Sequence, residues 1–238
     1  MKKLALSVIL VFVMYVCALA PIKNQGQPST IKSIHTIATT FEMITGDTAI
    51  PRKVTSTSFH IGGGYIVTCA HCVEFNSYRI RTPFGYVTQE LVCIKYVHKR
   101  DGHQILLMGT VDDIALLHDP LLIGTPAITW GDSDLLKVED RLLLIGNSGM
   151  DGINYKKGIV SRTSIKEAIL DFPERTAEAS FIMTTPTNPG DSGGPVFLDD
   201  TRKLVGMCYA GHGGRQGYNL AIKSNYIQMA IKEIMENR

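Results

Sequence analysis

With 238 residues, of which 45% are hydrophobic and 19% charged, the chain can bury one compact core or two closely packed halves, and it is too apolar to be disordered. Its formal charge of +2 is accounted for by Lys2 and Lys3, so no basic excess or basic stripe points to nucleic acid. Five cysteines are too few for a disulfide scaffold at this length.

Residues 1–20, MKKLALSVILVFVMYVCALA, join a charged start to an apolar stretch and a small-residue end, the pattern of a secretory leader. Two fates stay open: cleavage, after Ala18 because Pro21 disfavours Ala20, or retention as a membrane anchor. Either places the rest of the chain away from the cytoplasm, secreted, periplasmic or membrane-anchored. Residues 21–37 are polar and read as a flexible tether. From Thr39 come short β-rich runs, TSTSFHI, GYIVT, YRIRT, GYVTQELVCIKYV, HQILLMG and DDIALL, broken by turn residues. A second series follows, RLLLIGN, INYKKGIVSR, ASFIMTT, GPVFLDD, RKLVGMCYAG and GYNLAI. The crossing from Ile123 to Val138 is the seam, so residues 38–125 and 126–238 are expected to form one β unit each. At the C-terminus Ser224 is placed to cap a helix whose apolar stripe is Ile227, Ala230, Ile231, Ile234 and Met235. For Cys69, Cys72, Cys93 and Cys208, disulfides and free buried thiols both remain open.

The segment Asn188–Phe197, NPGDSGGPVF, holds a lone Ser192 among glycines. A serine hydroxyl is a feeble nucleophile unless a base takes its proton and donors hold the resulting oxyanion. His71, in TCAHCV, follows an apolar strand and sits among small residues that leave its ring accessible. Asp113 opens DIALL, where a partly desolvated carboxylate needs a partner and suits the orientation of an imidazole; Asp112 points the other way and is expected in solvent. The order His, Asp, Ser is one of three known for this triad. Gly190 lets its own N–H and that of Ser192 converge on one oxygen, while Gly193 and Gly194 leave room for a substrate backbone.

These residues resemble the trypsin-like serine proteases, closest to the HtrA (Deg) branch. The matching stretches are TCAHCV, DDIALLHD, WGDSDLLKVEDRLLLIGNSG with YKKGIVS, FIMTTPTNPGDSGGPVF and KLVGMCYAG with GYNLAIKSN. The resemblance runs from about Ser58 to Asn225 and implies an all-β fold of two six-stranded Greek-key barrels with a closing helix. It would make His71 the general base, Asp113 its orienter, Ser192 the nucleophile, and Gly190 with Ser192 the oxyanion hole. It also implies a substrate pocket at Pro186, Thr187, Tyr209, Ala210 and Gly211, with Pro186 where trypsin has an acidic base; small or apolar P1 residues are therefore expected. No PDZ module is expected after the closing helix. Asp191 stands where HtrA members commonly have Asn; in zymogen-type relatives that carboxylate pairs with a freshly cut N-terminus, and here its partner is open.

The expected function is that of a serine endopeptidase acting on polypeptides through an acyl-enzyme, without cofactor or metal and without nucleic acid. Two rivals stand beside it. Cys69-Ala70-His71-Cys72 contains a C-x-x-C, but no second half-site completes a zinc centre. A protease-fold binding or holdase protein with little or no activity is the other.

Overall fold

Arg141–Gly146 reads RLLLIG and Ile114–His118 reads IALLH, and strands this continuously apolar need cover on both faces. The computed structural model describes residues 32–45, 48–74, 77–82, 85–90, 96–165, 174–211 and 217–238. It supplies that cover with two barrels that share a seam.

The first half comprises β1 (Ile34–Thr45), β2 (Thr48–Gly62), β3 (Tyr65–Thr68), β4 (Ser77–Thr82), β5 (Gly85–Glu90), β6 (Val97–Arg100), β7 (His103–Val111) and β8 (Ile114–His118). Six of these close a barrel in the order β1-β2-β3-β8-β7-β6, and β4 pairs with β5 in a separate two-stranded sheet. The second half comprises β9 (Arg141–Gly146), β10 (Asn154–Arg162), β11 (Ser180–Met183), β12 (Pro195–Leu198), β13 (Leu204–Gly211) and β14 (Asn219–Lys223), closed in the order β10-β11-β14-β13-β12-β9. Two α-helices complete the described fold, α1 (Glu174–Glu178) and α2 (Ser224–Glu236).

Strand alternation explains the seam. On β9, Leu142 and Leu144 fill the second barrel, while Leu143 and Ile145 face a separate cluster between the barrels. On β8, Ala115 and Leu117 fill the first barrel, while Ile114 and Leu116 join that same cluster. Phe59, Phe197, Met207 and Tyr209 are among its other members, and burying each large apolar side chain contributes about 1.5–3 kcal/mol. This cluster fixes how the loops of the two barrels meet.

Three expectations need correction. β1 begins at Ile34, inside the stretch expected to be tether, because its pairing with β2 from Ile34↔Phe59 onward buries Ile34 and Ile37. Ser224 does not cap α2; its hydroxyl donates to the Gly131 carbonyl at 2.9 Å, and the N-cap position is Lys223. On the helix stripe Ile227, Ala230 and Ile234 are buried, with Ile234 packed against Gly109 of β7, so the helix lies across to the first barrel; Met235 is exposed. Cys69, Cys72 and Cys208 are free buried thiols, and Cys93 lies outside the described residues. Among the described residues no helix is long and apolar enough to cross a membrane, and residues 1–20, expected to be a leader, lie outside them.

Candidate active site

His71 sits in a 3-10 turn, Ala70–Cys72, that follows β3. Asp113 immediately precedes β8, the strand paired to β3, so the sheet itself brings the two together. Nδ1 of His71 lies 2.9 Å from both carboxylate oxygens of Asp113. The backbone doubles the link: His71 N–H donates to Asp113 Oδ1 at 3.0 Å, and Ala70 N–H donates to the Asp113 carbonyl at 3.1 Å. An ionised carboxylate only accepts, so in the neutral ring the proton sits on Nδ1 and Nε2 is the basic nitrogen. The imidazole is 37% exposed against 4% for the carboxylate, which leaves the ring reachable and its partner dry. Asp112 departs from expectation: it is only 13% exposed, accepts a hydrogen bond from Tyr226 and lies 3.6 Å from Arg175 Nε.

Burial and two neighbouring groups compete over His71. Burial lowers its pKa, but the neighbouring Cys72 sulfur and the Asp113 carboxylate override that and hold it well above the ordinary 6.5. Cys72 is itself lowered, first by the adjoining Cys69 side chain and further by His71, against the effect of burial.

Ser192 lies in the turn between β11 and β12. Its carbonyl accepts the Thr57 N–H from β2 at 3.0 Å, and its hydroxyl donates weakly to the Tyr209 carbonyl at 3.5 Å. The carbonyl of neighbouring Cys208 accepts the Cys69 thiol at 3.4 Å, two residues from His71, so the Ser192 turn and the segment that carries His71 meet at the seam. Two peptides of this turn, Pro189–Gly190 and Asp191–Ser192, are pinned through their carbonyls. Pro189 O accepts Gly149 N–H at 2.9 Å and Asp191 O accepts Gly194 N–H at 2.8 Å. In trans peptides this turns the N–H groups of Gly190 and Ser192 the opposite way, and neither has an acceptor among the described residues. Gly190 adopts φ 99°, which only glycine tolerates well.

Gly193, with φ 82°, corrects an expectation. A Cβ there would strike the Thr57 carbonyl and the Thr68 hydroxyl, so its missing side chain serves contact between the barrels and not substrate access. Gly194 likewise packs against the Ile145 and Asp191 carbonyls.

The expected pocket residues fall on two neighbouring walls. Asn219, which no local pattern marked, ties them: its Nδ2 donates to the Thr185 carbonyl at 2.8 Å and its Oδ1 accepts the Thr187 hydroxyl at 2.7 Å. Gly211 lies against both Asn219 and Thr187, where a Cβ would not fit. Pro186 is exposed, Ala210 is half-buried and Tyr209 is buried. None of these described wall residues carries a charge.

Cys69, His71 and Asp113 each offer one donor atom, all within 4.8 Å of one another. They do not suit a metal. Burial pushes the Cys69 thiol up, keeping it protonated, it already donates to Cys208, and both Asp113 oxygens face the His71 ring nitrogen.

Residues 56–207 match the trypsin-like peptidase domain family. Among curated proteins the chain is 26% identical over 193 residues to "Serine protease DegP homolog" of Plasmodium falciparum, covering 79% of this chain and 20% of that protein. It is 30% identical over 167 residues to "Protease Do-like 2, chloroplastic" of Arabidopsis thaliana, covering 66% and 24%. The chain thus spans about a fifth to a quarter of the length of these relatives. Of solved structures, "HtrA-type protease AlgW with decapeptide" superposes with a TM-score of 0.62 at 21% identity, covering 86% of this chain and 65% of that one. The serine endoprotease from Yersinia pestis gives 0.57 at 16%, covering 87% and 65%. Strand order, barrel closure and the sequence match agree, and the chain belongs to the trypsin-like peptidase domain family, with HtrA and DegP proteins among its relatives.

Proposed function

We propose that the protein is a serine endopeptidase that hydrolyses peptide bonds through an acyl-enzyme, with His71, Asp113 and Ser192 as its triad. The observation that carries this reading is the Asp113 carboxylate, which accepts both the ring Nδ1–H and the backbone N–H of His71 and so assigns the role of base to the other ring nitrogen, Nε2. In the reaction Nε2 takes the Ser192 proton as Oγ bonds to the substrate carbonyl carbon, and the carbonyl π pair moves onto oxygen. The N–H groups of Gly190 and Ser192 hold that oxyanion; collapse expels the amine, which leaves with the proton from His71. Water then repeats the sequence on the ester and returns the proton to Ser192. To begin, the Ser192 hydroxyl leaves the Tyr209 carbonyl, a weak bond to lose.

The uncharged wall of Pro186, Thr187, Tyr209, Ala210, Gly211 and Asn219 offers no counter-ion to Arg or Lys, which supports small or apolar P1 residues. A placement away from the cytoplasm is part of the proposal, supported by the leader pattern and by relatives named as probable periplasmic DegP-like endoproteases in Chlamydia trachomatis and Rickettsia conorii.

A fluorophosphonate probe tests the reading. Stoichiometric labelling at Ser192, abolished in Ser192→Ala and in His71→Ala, is the expected result. A well-folded protein that takes up no label would favour the binding or holdase reading instead.

A further inference from the structure

Asp191 lies between the two residues whose N–H groups are assigned to the oxyanion, and its carboxylate is sealed from water at 1% exposure. Oδ2 receives the Lys156 ammonium and, at 2.7 Å, the Asn188 N–H. Oδ1 is pressed against Gly146, where a Cβ would collide with it, and has no hydrogen-bond partner among the described residues. A buried carboxylate with one oxygen unpartnered needs a cation close by to stay there.

That cation comes from the middle of β10, where Lys156 pairs with Leu144 of β9 and its side chain is 13% exposed. Its neighbours on β10, Tyr155 and Lys157, point out to solvent. Nζ of Lys156 also donates to Ser148 Oγ at 2.7 Å, and Asn188 Nδ2 donates to the same hydroxyl at 2.8 Å. Lys156, Ser148, Asn188 and Asp191 therefore form a closed ring of polar contacts behind the Gly190–Ser192 turn. Were the ammonium absent, the carboxylate would gain hydration by swinging outward. That swing rotates the Asp191–Ser192 peptide, and with it the Ser192 N–H, and drags Gly190, whose own N–H lies one peptide earlier, out of line.

We propose that Lys156 is a positioning residue for the oxyanion hole: its ammonium holds the Asp191 carboxylate inward and thereby keeps both N–H donors aimed at the substrate carbonyl. The proposal rests on the serine-peptidase reading. Because the cation is an internal side chain, the hole forms without an α-amino group released by cleavage.

The test uses the full chain, fluorescently labelled casein as an unfolded polypeptide substrate, and the fluorophosphonate probe. In Lys156→Ala, kcat is expected to fall by about 10²–10³, the effect of losing an oxyanion donor, with KM nearly unchanged and labelling slowed in parallel. Propylammonium, which fits the space vacated by the side chain, is expected to restore activity to Lys156→Ala and to leave the wild type unaffected. The double variant Lys156→Met/Asp191→Asn removes both charges, keeps an acceptor for the Asn188 N–H, and is expected to recover most of kcat; it carries the test if Lys156→Ala does not fold. Wild-type labelling with equally fast labelling of Lys156→Ala overturns the positioning role and leaves the peptidase reading intact. A folded double variant as inactive as Lys156→Ala, with no amine rescue, also overturns it. Wild-type protein that never labels overturns both.

Discussion

The Thr57 hydroxyl donates to the Gly190 carbonyl at 2.7 Å, a bond between barrels that joins residues 133 apart in the chain. The same hydroxyl accepts the Asn147 N–H at 2.8 Å, and the Thr57 N–H holds the Ser192 carbonyl. One strand residue of the first barrel thus holds the turn of the second on both sides of Asp191. Thr57→Val keeps the shape and the backbone bond but strands a buried acceptor and a buried donor, at about 1–3 kcal/mol for each group left unpaired. Thermal unfolding should register that loss. Because Gly190 is then held less firmly, kcat should fall by roughly tenfold to a hundredfold, short of the 10²–10³ for outright loss of a donor. A variant that is destabilised yet has unchanged kcat would show that Thr57 serves the fold alone.

The environment of His71 sets a pH dependence. As a base it must be neutral, and the neighbouring Cys72 sulfur and the Asp113 carboxylate outweigh burial and hold its pKa well above 6.5. Activity in kcat/KM should therefore rise with pH along an acid limb centred above that of an ordinary imidazole. Cys72→Ala removes the sulfur that raises the His71 pKa and leaves Asp113 in place, so the limb should move to lower pH and the variant should outperform the wild type at mildly acid pH. Parallel kcat/KM profiles of the two proteins decide the matter, and superimposed acid limbs would refute the role given to Cys72.

His71, Asp113 and Ser192 are legible in the chain because each sits in a short local pattern: a strand end among small residues, an acid heading an apolar strand, a serine between glycines. The barrels are legible for the same reason, since strand alternation is a local property. Thr57, Lys156 and Asn219 are not, because each acts through a partner brought close only by folding. Thr57 hides among Ser56 and Ser58 in a polar run that looks solvent-facing, yet all three are buried. Lys156 stands beside Lys157 in what reads as an exposed basic pair, and only the register of β10 against β9 separates their fates. Asp112 was misplaced for a similar reason: a left-handed φ of 50° and the arrival of Tyr226 from α2 turn it inward. The first residues of β1 are too polar to announce a strand, and pairing with β2 overrides that weak local preference.

His35, at the start of β1, gives the fold an acid weakness. Its Nε2 is buried without a hydrogen-bond partner among the described residues. Burial, then the Arg100 guanidinium and His60, lower its pKa to about 4 against the opposing pull of Asp101 and Asp119. The folded-state value lies below the unfolded 6.5, so between those limits the unfolded chain binds a proton that the folded chain refuses. Stability should therefore fall as pH drops through 6.5 and level off below about 4 as far as this group is concerned. One proton contributes at most about 1.4 kcal/mol per pH unit, and solvent around the half-buried ring reduces it. His98, lowered chiefly by burial as well, adds a slope of the same sign. His35→Phe keeps an aromatic ring in the site and removes the titration, so its urea midpoint should lose less between neutral and mildly acid pH than that of the wild type. Equal losses in the two proteins would assign the acid sensitivity elsewhere, with His98 the first residue to substitute next.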